Sequence, residues 1–200
     1  MYRQLVKVIF VLTIVCAAAW PVFAEDEKPA PTGPIDQWGK IDTIYAELAK
    51  VSEKVWTITV GCTNDEALSA FSIPLHYTAG KAHLVADSAV FTTGRASAFD
   101  IKSFRCDTAI QVIMIGMIGS MGPVKKTVEP GTGALATVYL SSLDIPIQKL
   151  KVDTCTAAPN NTLMAIADQQ LLGIPADSLT PDKFQKLILV PAYVVREPKK

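Results

Sequence analysis

The residue types best suited to chemistry are few and scattered. Beyond the first 24 positions the chain holds three cysteines, Cys62, Cys106 and Cys155, and two histidines, His76 and His83. No cysteine belongs to a C-x-x-C pair, so neither zinc nor thioredoxin-like redox chemistry has a pattern to rest on. No motif flanks a cysteine as a nucleophile would need, and structural thiols are the preferred reading. The acidic pair Asp65-Glu66 is a partial calcium donor set. Calcium needs several converging oxygens, and the sequence shows no such cluster, so solvated turn carboxylates are preferred. G-x-S-x-G, H-E-x-x-H and phosphate-cradling loops are absent. The expectation is a non-enzyme with no catalytic residue, no metal and no cofactor.

The segments that carry these residues differ in physical character. Residues 1–24 begin with Arg3 and Lys7, continue through the apolar run Val8–Ala19 and end on Val22-Phe23-Ala24 before the polar Glu25-Asp26-Glu27-Lys28. This is the order of a cleavable signal peptide. The apolar run is shorter than the roughly 20 residues of a spanning helix and stops at Trp20-Pro21. Val112–Ile118, the longest later apolar stretch, is strand-sized, so no membrane span is expected after cleavage. Over the whole chain of 200 residues, 19 basic and 19 acidic side chains balance, and half the residues are hydrophobic. Removing the leader takes two basic charges and much of the apolar excess with it, leaving a slightly acidic globular composition. Nucleic acid is excluded as a partner, because it would need a basic surplus. Secretion to the cell surface or into the periplasm is the expected localisation. Residues 25–41 are rich in proline and glycine and read as a flexible tether.

From residue 42 to 197 the pattern is one of short strands between turns. Trp56, Ile58, Val60 and Cys62 share one face of a β-run. Phe71, Ile73, Leu75 and Tyr77 alternate with Ser72, Pro74 and His76, a period of two that implies one buried face. Further strands are expected at 83–91, 99–106, 109–117, 134–141, 147–154 and 186–195. Residues 41–51 fit a helix through Ile41, Ile44, Tyr45 and Leu48, or a strand through Ile44, Ala46 and Leu48. Taken as a strand, they bring the count to nine, and an all-β sandwich follows. Ser178–Lys186 could form a short helical turn.

Three segments resemble cohesin-like domains. Val55–Tyr77, VWTITVGCTNDEALSAFSIPLHY, is similar to the second and third strands of that family, with an Asn-Asp turn and an F-x-I-P-L-x-Y strand. Pro130–Leu140 resembles its G-x-G-x-L-A strand. Val152-Asp153-Thr154, with the later Pro159–Leu163, resembles the end of its eighth strand and the following loop. The resemblance implies a nine-stranded jelly-roll, immunoglobulin-like β-sandwich related to carbohydrate-binding modules. It also implies a non-catalytic role in binding or scaffolding. The partner would be a protein, dockerin-like or another surface protein, and the alternative is a polysaccharide. With the family's sheet order, 9-1-2-7-4 against 8-3-6-5, Cys62 and Cys155 fall at one end of the sandwich. The implied disulfide is Cys62–Cys155, with Cys106 unpaired.

The same sheet order sets the expected partner face. If 109–117 is the sixth strand, Gln111 marks its outward side, with Ile113, Ile115 and Met117 beside it; the third strand adds Ser72, Pro74 and His76. An apolar strip with a polar margin is a candidate protein interface. The competing reading, held somewhat more favourable, has a loop at Leu163–Leu172 covering this strip. Pro74 calls for a bulge in so central a strand. For sugar binding, Trp56 and Tyr77 fall on apolar strand faces, where core packing is the stronger reading.

Overall fold

The computed structural model describes residues 33–121, 124, 126–155, 162–166 and 188–196. The expected leader and the first part of the expected tether lie outside this range, as do Ser178–Lys186. Among the described residues there are eleven strands and no helix, so no helix is long and apolar enough to cross a membrane. The strands are β1 (Thr43–Lys50), β2 (Val55–Asn64), β3 (Leu68–Thr78), β4 (Leu84–Val90), β5 (Ile101–Asp107), β6 (Val112–Ile118), β7 (Gly131–Ser142), β8 (Lys151–Thr154), β9 (Leu163–Ile166), β10 (Ile188–Leu189) and β11 (Ala192–Arg196).

Two sheets face each other. One runs β11-β1-β2-β7-β4 and the other β10-β9-β3-β6-β5, with β8 also paired to β3. All pairings are antiparallel except that of β1 with β11. The ambiguous stretch 41–51 is thus a strand. Its inward residues Ile44, Ala46 and Leu48 are buried, whereas Glu47, Ala49 and Lys50 are exposed.

The rise from nine strands to eleven has two causes. The expected eighth strand, 147–154, is found as β8, and a further strand, β9, follows it in the stretch expected to be a covering loop. Thr154 of β8 lies opposite Leu75, and Leu163 of β9 lies opposite Ser72. Both strands use the same edge of β3, and residues 155–162 intervene. The last expected strand is divided by Pro191. Proline has no amide proton, and β10 and β11 on either side of it pair in different sheets.

Pro74 fits without the expected bulge, since its pairing with Met114 of β6 is in continuous register. Its carbonyl accepts from the Cys155 amide at 3.4 Å, so its backbone polar groups face the β8/β9 edge. The missing amide donor falls in the gap between those two strands, where it interrupts no ladder.

The core between the sheets is built from the alternating faces read in the sequence. Trp56, Ile58, Val60 and Cys62 from one sheet meet Phe71, Ile73, Leu75 and Tyr77 from the other, all buried. A bulge at Val60/Gly61 lets the Tyr45 ring lie against the backbone. A side chain at Gly61 would collide with it, a Cβ there falling 2.3 Å from the Tyr45 ring. On its far side the Tyr45 ring carries the Arg196 guanidinium, 3.8 Å from the ring centroid.

The second half of the expected tether is held against this body. Ile35 and Val190 exchange backbone hydrogen bonds of 2.8 and 2.9 Å, and Trp38 packs on the core. Among the described residues, contacts of the sandwich are thus present from Ile35, ahead of residue 42.

Candidate functional site: the outer face of the second sheet

β3, β5 and β6 make a flat outer surface whose composition follows from the ladder register. Across it run the rows Ala70–Ile118–Ile101, Ser72–Gly116–Ser103, Pro74–Met114–Arg105 and His76–Val112–Asp107. Beyond β3, Leu163 and Ala165 of β9 and Asp153 of β8 continue three of these rows. Ile101 and Ile118 are 39% and 40% exposed, and Met114 and Gly116 are half-buried. The centre is apolar, and Arg105, Asp107, His76 and Asp153 form a charged or polar margin along one end. Ser103 Oγ donates to the Gly116 carbonyl at 3.1 Å, which keeps the middle of the surface low.

The structure changes the membership of the expected strip. Ser72 and His76 face outward, as the period of β3 required. Ile113, Ile115 and Met117 do not: all three are 0% exposed and belong to the core. Gln111 is the cause. It lies in the β5–β6 turn with φ at 56°, a left-handed conformation, and its carbonyl accepts from Tyr77 N at 2.9 Å. Asp107 Oδ1 accepts from the Ala109 and Ile110 amides in the same turn. A side chain in such a turn carries no strand parity. The residues of β6 that face away from the core are instead Val112, Met114, Gly116 and Ile118, of which Val112 is itself covered, at 4% exposed. Gly116 was the available signal, since a glycine in the middle of an apolar strand leaves the core face short of packing and so belongs outside.

The covering loop expected at Leu163–Leu172 is also revised over its described part. Leu163–Ile166 is a strand that widens the sheet; residues 167–172 lie outside the described range.

The implied Cys62–Cys155 disulfide is not formed, and Cys62, Cys106 and Cys155 are all free thiols. The register of β8 accounts for this, since it pairs only with Leu75–Thr78 of β3. Cys155 comes beside Pro74, halfway along β3, instead of reaching the end of the sandwich near Cys62. Cys62 is sealed in the core, where its Sγ accepts from Arg95 Nη1 at 3.2 Å and donates weakly to Asn64 Oδ1 at 3.7 Å. Burial pushes this thiol up to about 11, against the opposing pull of Arg95. Cys62 should therefore alkylate at least about a hundredfold more slowly at pH 8 in the folded chain than in urea, because little thiolate forms. Half-buried Cys106 and Cys155 should label first. Peptide mass spectrometry after timed iodoacetamide exposure measures this, and equal labelling of Cys62 and Cys106 would contradict the placement.

A second site emerges where the sequence showed only Asp65-Glu66. Asp36 and Asp42 come to the same place, and one carboxylate oxygen from each of the four residues lies within 4.8 Å of the others. Asp42 stands just before β1, and Asp65-Glu66 form the turn after β2. The two meet because β1 and β2 pair up to Thr43–Thr63. Asp65 is exposed, but Glu66 is 8% exposed and Asp42 2%. The solvated-turn reading therefore does not hold for Glu66.

Trp56 and Tyr77 are 8% and 1% exposed and serve the core. Trp56 also edges a cleft of about 760 Å³ with Leu48, His76, Lys151 and Val195. No aromatic residue occurs on the outer face among the described residues.

No family model matches the sequence, and no curated protein matches it. Solved structures do. The chain is similar to a type I cohesin–dockerin complex structure from Clostridium thermocellum, at 9% identity over 82% of this chain and 99% of that chain, with a TM-score of 0.51. It is also similar to a type II cohesin–X–dockerin complex structure from Acetivibrio cellulolyticus, at 12% identity over 79% and 96% of the two chains, TM-score 0.49. A third is the non-cellulosomal cohesin of the archaeon Archaeoglobus fulgidus, at 13% identity over 80% and 93%, TM-score 0.40. The fold is a cohesin-like β-sandwich.

Proposed function

We propose that this chain is an exported, non-catalytic module that binds a protein partner through the outer face of β3, β5 and β6. The observation that carries the reading is the apolar centre of that face, Ile101, Met114 and Ile118 around Gly116, bordered by Arg105, Asp107, His76 and Asp153. An apolar centre with a polar rim is the usual anatomy of a protein interface. A second support is the fold, shared with a solved cohesin from a complex with a dockerin. A dockerin-like module or another surface protein is the partner class. Among the described residues this face carries no aromatic platform, which argues against polysaccharide as its ligand.

The test compares capture by wild-type protein and by Met114→Asp, using the native secretome, beside a glycan array. The reading expects a specific protein retained by wild type and lost with Met114→Asp. Glycan binding without protein capture, or capture indifferent to Met114→Asp, would overturn it.

A further inference from the structure

We infer that Asp36, Asp42, Asp65 and Glu66 form a binding site for one calcium ion, which fastens the stretch before β1 to the β2–β3 turn. Four acidic residues close together do not make a site by themselves. The independent observation is that the buried members lack partners. Asp42 Oδ2 and both Glu66 carboxylate oxygens are enclosed with no amide, hydroxyl or cationic donor, in residues only 2% and 8% exposed. A buried carboxylate without a counter-charge is strongly unfavourable. Among the described residues no lysine or arginine forms an ion pair with any of the four, and Lys40 acts on exposed Asp65 only as a more distant charge.

The surrounding backbone holds the carboxylates in place. Asp36 accepts from the Trp38 amide at 2.9 Å and the Asp42 amide at 3.3 Å. Asp65 accepts from the Lys40 amide at 2.9 Å, and Asp42 Oδ1 from the Asp65 amide at 3.3 Å. Amide donors orient and favour ionised carboxylates, as outer-shell groups do around metals. They leave Asp42 Oδ2 and the Glu66 oxygens for another ligand. Gly39 permits the approach of the 36–42 loop, since a Cβ at that position would stand 2.5 Å from Asp65 Oδ2.

The electrostatics agree. Burial, then the charge of Asp36, pushes Asp42 up to about 6. Burial, then the hydrogen bond with Asp65 and the charges of Asp42 and Asp36, pushes Glu66 up to about 8. Four carboxylate oxygens within 4.8 Å of one another repel, and a divalent cation removes that repulsion. An all-oxygen donor set selects a hard ion. Carboxylates gathered from separate loop positions suit the variable six- to eightfold coordination of calcium better than the strict octahedron of magnesium.

The experiment uses the full chain, treated with EDTA and desalted, then titrated with calcium chloride by calorimetry and followed by thermal melting. One site is expected, with the melting temperature rising over roughly 10⁻⁴ to 10⁻³ M calcium, the range of extracellular modules. Terbium is expected to bind with luminescence excited through Trp38, two residues from Asp36. Glu66→Gln and Asp42→Asn should weaken calcium at least about tenfold. Each relieves repulsion, so each should stay folded by circular dichroism in EDTA and melt no lower than wild type there. A melting temperature indifferent to about 10 mM calcium, or unaltered affinity in folded Glu66→Gln, would overturn the inference. So would a calcium-indifferent protein that gains stability as the pH falls, because the carboxylates would then share protons.

Discussion

Ile115→Asp should abolish the folded domain, whereas Met114→Asp, one residue away, should melt within a few degrees of wild type. Ile115 is 0% exposed between the two sheets. The substitution removes a buried branched side chain and places an unpaired carboxylate there. The combined cost is about 5 kcal/mol or more, comparable with the whole stability of a typical domain. Met114 sits opposite Pro74 and Arg105 on the outer face, where the new carboxylate stays hydrated and gains Arg105 as a neighbour. Its effect on stability should be within about 1 kcal/mol. Thermal melts followed by circular dichroism distinguish the two. A cooperative Ile115→Asp melt near the wild-type temperature would mean that the face of β6 is assigned the wrong way round.

The contrast at these two positions also marks where the sequence stopped being legible. Along β2 and β3 polar residues alternate with apolar ones, so parity assigned Trp56, Ile58, Phe71 and Ile73 to the core, and the structure buries all four. Along β6 every residue from Val112 to Ile118 is apolar except Gly116, so the face had to be inferred from Gln111. That residue occupies the turn, and the inference inverted the strand. β9 was illegible for a related reason. Leu163-Met164-Ala165-Ile166 shows no alternation, and only the free edge of β3 makes it a strand. The implied disulfide then failed because it assumed that the eighth strand ends near the start of β3, whereas β8 pairs only with Leu75–Thr78. The acidic cluster was illegible because Asp36 and Asp42 reach Asp65 and Glu66 through strand pairing, and no fixed spacing announces that convergence. What composition and periodicity did convey was the sandwich, since nearly every strand could be placed from period and turn residues alone.

Arg95→Ala should destabilise the domain by about 2–3 kcal/mol, the largest effect expected from a residue outside the apolar core. Its Nη1 donates to the carbonyls of Cys62 and Gly131 at 3.3 and 3.0 Å and to Asn64 Oδ1 at 2.9 Å, and its Nη2 donates to the Glu129 carbonyl. These acceptors belong to the end of β2 and the start of β7, so one guanidinium ties together the end of the sheet. Asn64 is buried, and its amide donates to the carbonyls of Glu66, Val128 and Glu129. Without Arg95, its Oδ1 keeps only the weak Cys62 thiol. Hydrogen bonds involving a charged group contribute about 1.5–3 kcal/mol each. Water can replace the donors at Glu129 and Gly131, where the contacts are exposed, and this holds the total near the range of a single such bond. Arg95→Lys should recover little, because one ammonium cannot reach acceptors spread to suit a planar fork. Urea titration checks both variants. The expected result is a lower midpoint with an unchanged slope, and the loss should extend to Cys62, whose protection from alkylation depends on the same closed end of the sandwich. A cost below about 0.5 kcal/mol would show that solvent already satisfies these groups.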